Sequence, residues 1–115
     1  MADADCLFCK IVRHEVPATF VHEDDTVVAF RDINPQAPTH ILVIPTKHIS
    51  SAHEIQASDD ALWASMLHVA QQLAVSEGIA DGYRLVTSIG RRAGQTVDHV
   101  HIHVLGGRQM HWPPG

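Results

Sequence analysis

The stretch HVHIHVL, residues 99–105, places a histidine at every second position of an apolar run. Successive side chains of a β-strand point to opposite faces, so His99, His101 and His103 would line one face and the aliphatic side chains the other. Each imidazole has two nitrogens that need partners, so burying three such rings merely as packing would be costly. The alternation predicts a half-buried strand whose histidine face binds or transforms something polar. A histidine-rich face exposed to solvent is the alternative.

Hydrophobic periodicity places the remaining elements around this stretch. A long helix is predicted from the capping residues Ser58-Asp59-Asp60 to about Glu77, because apolar residues recur at helical spacing and Gly78 then stops it. One long helix among about five strands with hairpin-like connections favours an α+β fold with a five-stranded antiparallel sheet. The other predicted elements are a short N-terminal helix over 5–13, capped by Asp3 or Asp5, and strands over 19–22, 27–32, 40–45 and 83–87.

Length and composition limit the class of protein. The chain has 115 residues, of which 45% are apolar, which predicts a single domain over residues 1–115. No apolar run approaches the roughly 18 residues of a membrane span, and the acidic N-terminus does not suit a signal peptide, so we expect a cytoplasmic protein without a membrane partner. The net charge of −5 argues against binding of nucleic acid, which depends on neutralising phosphates with Lys and Arg.

Cys6 and Cys9 form a Cys-x-x-Cys pair. A structural disulfide is improbable in a reducing cytoplasm, which leaves a metal site, a redox pair or two ordinary thiols. The redox interpretation is weak, because no strand pattern leads into the pair. A metal site would need two more ligands, and the ten histidines offer them.

The chain resembles the histidine triad (HIT) family of nucleotide hydrolases and transferases, and the likeness covers nearly all of it. The tail that ends in Trp112-Pro-Pro-Gly115 is similar to the Hint branch, whose members hydrolyse adenosine phosphoramidates and aminoacyl-adenylates. The resemblance implies an adenosine 5'-monophosphoramidase without an organic cofactor. It rests on the triad itself, residues 30–40, the strand end Ile44-Pro45, His48, the loop Gly94-Gln95-Thr96 and the tail 105–115.

The resemblance also implies roles for the histidines. His101 would be the nucleophile that becomes adenylylated, His103 would contact the phosphate, and His40 on the adjacent strand would support both. A neutral imidazole is a competent nucleophile toward activated phosphorus, and its phosphoramidate product hydrolyses readily. Thr96 would offer a hydroxyl to the leaving group, where Hint relatives more often carry serine.

The nucleotide-binding residues are implied in the same way. A carboxylate at Asp32 can accept from both ribose hydroxyls, and Ile33 offers an apolar surface to the purine. Backbone N–H groups of the Gly94-Gln95-Thr96 loop can hold a phosphate. Ser88 stands where Hint relatives usually carry asparagine, which shortens the hydrogen-bonding group on the leaving-group side. The implied set is Asp32, Ile33, Ser88, Gly94, Gln95, Thr96, His101, His103 and Trp112.

In zinc-bearing members of the family, the N-terminal cysteine pair is joined by two histidines. Here the corresponding residues are Cys6, Cys9, His48 and His99. Two thiolates and two imidazoles make a closed tetrahedral set, which is typical of structural zinc. Cysteines without a metal ligand role in the N-terminal helix remain the alternative.

Other functions fit parts of the sequence. The Gly-Gln-Thr-Val motif (94–97) also resembles the dinucleoside polyphosphate hydrolases, although that branch lacks the Trp-Pro-Pro-Gly tail. A zinc hydrolase could hold its metal with His40, His101 and His103, but the sequence does not point to a neighbouring carboxylate as general base. A nucleotide-binding regulator with little turnover would not need the nucleophile.

A homodimer is expected. A single sheet with one long helix leaves an apolar face and an open edge that a short chain covers poorly. The resemblance implies that the sheet continues across the two subunits and that each tail reaches the partner's pocket. Trp112 packed on its own subunit is the alternative. The expected small-molecule partner is a purine nucleotide that contains AMP.

Overall fold

The computed structural model describes residues 5–115. Its strands form one antiparallel sheet in the order β1-β2-β3-β5-β4, which confirms the predicted fold class. Apart from the histidine strand, strand boundaries lie within one residue of those predicted. In chain order the elements are α1 (Leu7–Val12), β1 (Phe20–Glu23), β2 (Val27–Arg31), β3 (Thr39–Pro45), α2 (Asp60–Ser76), β4 (Tyr83–Val86) and β5 (Ile102–Gly106), with 3-10 turns at Ala52–Glu54, Ala57–Asp59 and Arg91–Ala93.

The strand β3 is buried along its whole length because both faces of the sheet are covered. On one face α2 packs over an aliphatic cluster that includes Ile41 and Val43 of β3. On the other face α1 and the segment after it cover a second cluster that includes Leu42 and Ile44. The side chains of β3 thus alternate between two cores, which explains its continuous apolar sequence.

The helix α2 carries the predicted apolar stripe. Its buried residues, Met66, Val69, Ala70, Leu73 and Ala74, all belong to the cluster beneath it. The helix ends just before Gly78, whose φ of 75° is the left-handed conformation that glycine adopts without strain. Among residues 5–115, no helix is both long and apolar enough to cross a membrane.

The N-terminal helix α1 is capped differently from the prediction. Cys6 occupies the N-cap position, and its thiol accepts the backbone N–H of Cys9 at 3.4 Å. Asp5 does not take this role, and Asp3 lies outside the described residues. A helix of six residues is too short to be stable alone, so α1 depends on what its side chains contact.

The histidine strand begins later than the sequence predicts. The alternation indicated a strand from His99, whereas β5 starts at Ile102, opposite Val43 of β3. Before that pair, the N–H of Val100 donates to the carbonyl oxygen of Ile49 at 2.6 Å instead of joining the sheet. The residues before Ile102 are therefore held by loop contacts.

The predicted division of faces nevertheless holds. Ile102 and Val104 pack in the cluster beneath α2. His101 and His103 line a cavity on the opposite face, with their ring centroids 5.0 Å apart. The face of the sheet that carries His101 and His103 is thus the one covered by α1 and the segment after it.

Candidate active site

The register between β3 and β5 brings two histidines together. His40 lies opposite Leu105 and His103 opposite Leu42, so the two histidines are diagonal neighbours on one face. Their nitrogens, Nε2 of His40 and Nδ1 of His103, are 2.9 Å apart. A register shift of one residue would put the rings on opposite faces. His40, which the sequence predicted to support the other two histidines, therefore contacts one of them, His103, by a direct hydrogen bond.

The hydrogen bonds decide which nitrogens of this pair carry protons. The backbone N–H of Gln36 donates to Nδ1 of His40 at 3.0 Å, so a neutral His40 carries its proton on Nε2. That proton is donated to Nδ1 of His103. A neutral His103 then carries its own proton on Nε2. The chain of donors ends with an N–H on the His103 ring, which lines the cavity.

His101 is held in the opposite tautomer. Its Nδ1 lies 2.7 Å from the carbonyl oxygen of His99, and a carbonyl oxygen can only accept. The proton of a neutral His101 is therefore on Nδ1, and Nε2 carries the lone pair. The ring of Phe8 contacts that of His101 edge-on, with centroids 5.2 Å apart. This hydrogen bond thus leaves a lone pair on Nε2 of His101, and the His103 ring, which carries an N–H, lies beside it.

The electrostatics of the site favour the neutral form of these rings. Burial lowers the pKa of His40 and His101, although the Asp32 carboxylate opposes the shift at both. Burial, helped by the neighbouring imidazoles of His101 and His40, lowers the pKa of His103 to about 4. Neutral imidazoles are what the hydrogen-bond chain requires, since protonation of His40 or His103 would turn an acceptor nitrogen into a donor.

This arrangement predicts a pH dependence of stability. The pKa of His103 is about 4 in the folded chain and about 6.5 in the unfolded one. The unfolded chain therefore takes up the proton first, and the free energy of unfolding should fall as the pH falls from about 6.5 to about 4. Urea unfolding at a series of pH values measures this. The variant His103→Asn should lose less stability over that interval than the wild type, and an equal loss in both would contradict the assignment.

A cavity of about 350 Å³ adjoins the two triad histidines. Asp32 and Ile33 line it as predicted, and the Ile33 side chain is almost fully exposed (97%) at its edge. The carboxylate of Asp32 accepts the backbone N–H of Asn34 at 2.8 Å, which holds it in place. The site therefore places a carboxylate and an apolar surface beside the histidines.

Sequence reasoning missed one side of the cavity. It is lined by α1 and the segment that follows, through Leu7, Phe8, Ile11, Val16, Pro17 and Ala18. The recurring apolar residues of α1 could have indicated a buried face. Nothing in the local sequence indicated that this face would cover the histidine side of the sheet.

The loop before the triad is held in shape by the side chain of Gln95. Gly94 has a φ of 93°, and a Cβ there would meet nothing within 4 Å, so its backbone conformation favours glycine. The amide of Gln95 points inward, where it accepts the N–H of Gly90 and donates to the carbonyl oxygen of Ser50. Of this loop, Thr96 lines the cavity. Gln95 thus shapes the loop, and its side chain does not face the cavity.

Two other predicted residues lie apart from the cavity within this chain. Ser88 is half-buried after β4 and does not line it. Trp112 is 84% exposed, so the alternative that it packs on its own subunit is wrong.

The four predicted metal ligands form a compact group. Nδ1 of His99 lies 3.3 Å from Sγ of Cys6 and 3.5 Å from Sγ of Cys9, and Nδ1 of His48 lies 3.3 Å from Sγ of Cys9. Two donors on one tetrahedral zinc are about 3.5 Å apart, given bonds of about 2.3 Å to sulfur and 2.0 Å to nitrogen. Nε2 of His99 donates to the carbonyl oxygen of Pro45 at 2.8 Å, which leaves Nδ1 as the metal-binding nitrogen. The donor set fits zinc.

The fold and the site together define a class: a small α+β domain with a cluster of buried imidazoles beside a cavity of about 350 Å³ and a separate Cys2His2 group. The HIT domain family matches residues 13–110, and the chain belongs to this family. It is 50% identical to an uncharacterized HIT-like protein of Synechococcus elongatus, over 96% of this chain and 97% of that one.

Two other relatives carry more specific names. A 14 kDa zinc-binding protein of Zea mays is 47% identical, over 98% of this chain and 90% of that one. The crystal structure of a HIT family hydrolase from Legionella pneumophila superposes with a TM-score of 0.94 at 54% identity, covering 96% of this chain and 99% of that one. These similarities support a hydrolase-like protein of the family and a metal role for the cysteine cluster.

Proposed function

We propose that the protein hydrolyses the P–N bond of adenosine 5'-phosphoramidates, or the mixed anhydride of aminoacyl-adenylates, through an intermediate in which AMP is bound to His101. The observation that carries this proposal is the bond from Nδ1 of His101 to the carbonyl oxygen of His99 (2.7 Å), which leaves a lone pair on Nε2. The ring lines the cavity that Asp32 and Ile33 also line. A buried, neutral imidazole oriented in this way is a nucleophile.

The reaction divides into two displacements at phosphorus. In the first, Nε2 of His101 forms a bond to phosphorus while the bond to the leaving group breaks. A leaving amine takes up a proton from a neighbouring donor, whereas the carboxylate of an aminoacyl-adenylate leaves as the anion. In the second, water attacks phosphorus, the bond to His101 breaks, the proton of the water returns to the donor that protonated the leaving amine, and AMP is released. The N–H of His103 and the hydroxyl of Thr96 are the donors beside the reacting atoms, for the phosphoryl oxygens and the leaving group.

The cavity matches the substrate class. Its volume of about 350 Å³ falls within the usual range for small-molecule sites. Asp32 would accept from ribose hydroxyls, and Ile33 with the apolar side chains of α1 would offer surface to a purine. The half-buried carboxylate and the apolar lining together suit a nucleoside monophosphate.

Comparison of substrates tests the proposal. We expect adenosine 5'-phosphoramidate to be hydrolysed with a kcat/KM at least about 10-fold above that for a diadenosine polyphosphate. After an alkaline quench, which spares a histidine phosphoramidate, peptide mapping should find AMP on His101. The reverse preference would instead support a dinucleoside polyphosphate hydrolase, and absence of turnover with intact AMP binding would support a regulator.

The adduct also separates the proposal from a metal-dependent hydrolase. The structure groups Asp32, His40 and His103, whose donor atoms lie within 4.8 Å of one another, so a carboxylate does adjoin these histidines. His101 is outside that group, unlike in the set that the sequence suggested. A metal-activated water would leave no AMP on His101, so failure to trap the adduct during turnover would favour that mechanism.

We also propose that Cys6, Cys9, His48 and His99 hold a structural zinc ion. Four protein donors complete a tetrahedral set, so bound zinc would contribute folding stability without a position for substrate. Both cysteines are buried and neither is in a disulfide.

A homodimer with a continuous sheet is proposed as the assembly. One edge of the sheet, β1, carries exposed His–carboxylate pairs, and charged edges disfavour strand pairing. The other edge, β4, has exposed apolar side chains at Leu85 and, just beyond, Ile89. Pairing of two β4 strands would cover them, and the exposed Trp112 would then be available to the partner's cavity.

The dimer makes a testable prediction. Light scattering at micromolar concentration should give twice the chain mass. Deletion of residues 112–115 should change the ratio of kcat/KM for two phosphoramidates with different amines, while the melting temperature stays within about 3 °C, because the tail lies outside the core. A monomeric mass, or an unchanged ratio after the deletion, would contradict this prediction.

A further inference from the structure

The helix α1 takes part in two sites at once. The thiols of Cys6 and Cys9, at its start and in its first turn, lie in the Cys2His2 group. Leu7, Phe8 and Ile11, on the same short helix, line the cavity with the triad histidines. Because six residues of helix are not stable alone, the contacts at one site help to hold the surface that forms the other.

Phe8 provides a direct packing link between the two sites. Its buried ring contacts the ring of His99, with centroids 5.9 Å apart, and the ring of His101, with centroids 5.2 Å apart. Both contacts are edge-to-face. A shift of α1 that moved Phe8 would therefore change the packing of two rings together, that of the proposed metal ligand His99 and that of the proposed nucleophile His101.

His99 provides a second link, through hydrogen bonds. Its ring lies between Cys6 and Cys9 on one side and the carbonyl oxygen of Pro45 on the other. Its own carbonyl oxygen accepts Nδ1 of His101. The residue whose side chain belongs to the Cys2His2 group thus also sets the orientation of His101 through its backbone.

We propose that metal binding at the Cys2His2 group and nucleotide binding in the cavity are energetically coupled, with Phe8 and His99 as the positioning residues that connect them. Bound zinc would hold α1 and His99 in position, and through them the α1 side of the cavity and the ring of His101. Bound AMP would contact the same side of the cavity, hold α1 in position and thereby strengthen zinc binding. Coupling of this kind is reciprocal, so the same factor applies in both directions. The inference rests on the proposed function for the identity of both ligands.

Zinc affinity measured with and without AMP tests the coupling. The purified full-length protein competes for zinc with a chelator of known affinity, and saturating AMP should lower the Kd for zinc by about 5-fold or more. Calorimetry should show that removing zinc weakens AMP binding by the same factor. Calorimetry on the zinc-loaded protein comes first: absence of AMP binding would refute the proposed function, whereas AMP binding with an unchanged zinc affinity would refute only the coupling.

Two variants identify the residues responsible. Phe8→Leu keeps an apolar side chain on α1 but removes both ring contacts, so zinc and AMP should still bind while the coupling factor falls toward 1. Ile33→Ala is the matched control, because Ile33 lines the cavity from the loop after β2 and has no part in the Cys2His2 group. It should weaken AMP binding and leave the factor unchanged.

Circular dichroism of the metal-free protein separates local coupling from global unfolding. We expect the metal-free protein to stay folded, with faster amide exchange in residues 7–12 that AMP slows again. A globally unfolded metal-free protein, or a coupling factor in Phe8→Leu equal to that of the wild type, would overturn the proposal.

Discussion

Replacement of His101 by alanine is expected to lower kcat for adenosine 5'-phosphoramidate by at least about 10³-fold, while the Kd for AMP changes by less than about 10-fold. The nucleophile forms the covalent bond to phosphorus, so its loss should stop the reaction. The other two histidines have the opposite tautomer: Nε2 of His40 and, by inference, of His103 carry protons, whereas Nε2 of His101 carries a lone pair. Steady-state kinetics and calorimetry measure the two quantities.

The control for this prediction is His68→Ala, which removes an exposed histidine from α2 and should leave turnover unchanged. Loss of the His103 imidazole or of the Thr96 hydroxyl should slow the reaction less than loss of His101, because each acts as a donor and neither forms the covalent bond. Retention of more than about 1% of the wild-type rate in a folded His101→Ala protein would refute the covalent route.

Replacement of Cys6 or Cys9 by serine is expected to remove zinc and to lower the melting temperature by about 10 °C or more. Serine is a poor zinc ligand, and free energy gained by binding zinc in the folded chain is lost with the metal. Elemental analysis of protein prepared without chelators should give about one zinc per chain in the wild type. Differential scanning calorimetry measures the change in stability.

His48 and His53 provide a test variant and a matched control for the proposed zinc site. His48 contributes Nδ1 to the Cys2His2 group, whereas His53 is exposed in the following 3-10 turn. His48→Ala should therefore lose zinc and stability, and His53→Ala should lose neither. Wild-type protein without stoichiometric zinc would contradict the proposed site, as would serine variants that keep both the metal and the melting temperature.

Local patterns were sufficient for the type and order of the helices and strands. The stripe of α2, the alternation after Val100 and the apolar run of β3 each follow from the period of one regular structure, and the structure confirms all three. The start of β5 was predicted wrongly, because strand pairing ends at Ile102 while the alternation continues back to His99. The period of a sequence predicts which face of the strand a side chain takes, but it does not predict where pairing with the neighbouring strand ends.

The cap of α1 shows the same limit at the other end of the chain. Asp is among the favoured N-cap residues, yet Cys6 takes this position, and Cys6 and Cys9 both lie within 3.5 Å of Nδ1 of His99. Similarly, the sequence of the Gly94 loop did not indicate the inward orientation of the Gln95 side chain, which depends on the carbonyl oxygen of Ser50, 45 residues away. Local preference yields to distant contacts in both cases.

The sequence by itself therefore determined the type and order of the elements, the family resemblance and a set of candidate site residues, because these depend on residue type and spacing. Only the tertiary structure decided the tautomers of the histidines and which segments surround the cavity. The tautomers of His40, His101 and His103 follow from bonds to Gln36 and His99, which the β3–β5 register and the loop geometry bring into reach. The covering of the cavity by α1, and with it the link to the Cys2His2 group, arises from packing between segments about 90 residues apart, which no local period encodes.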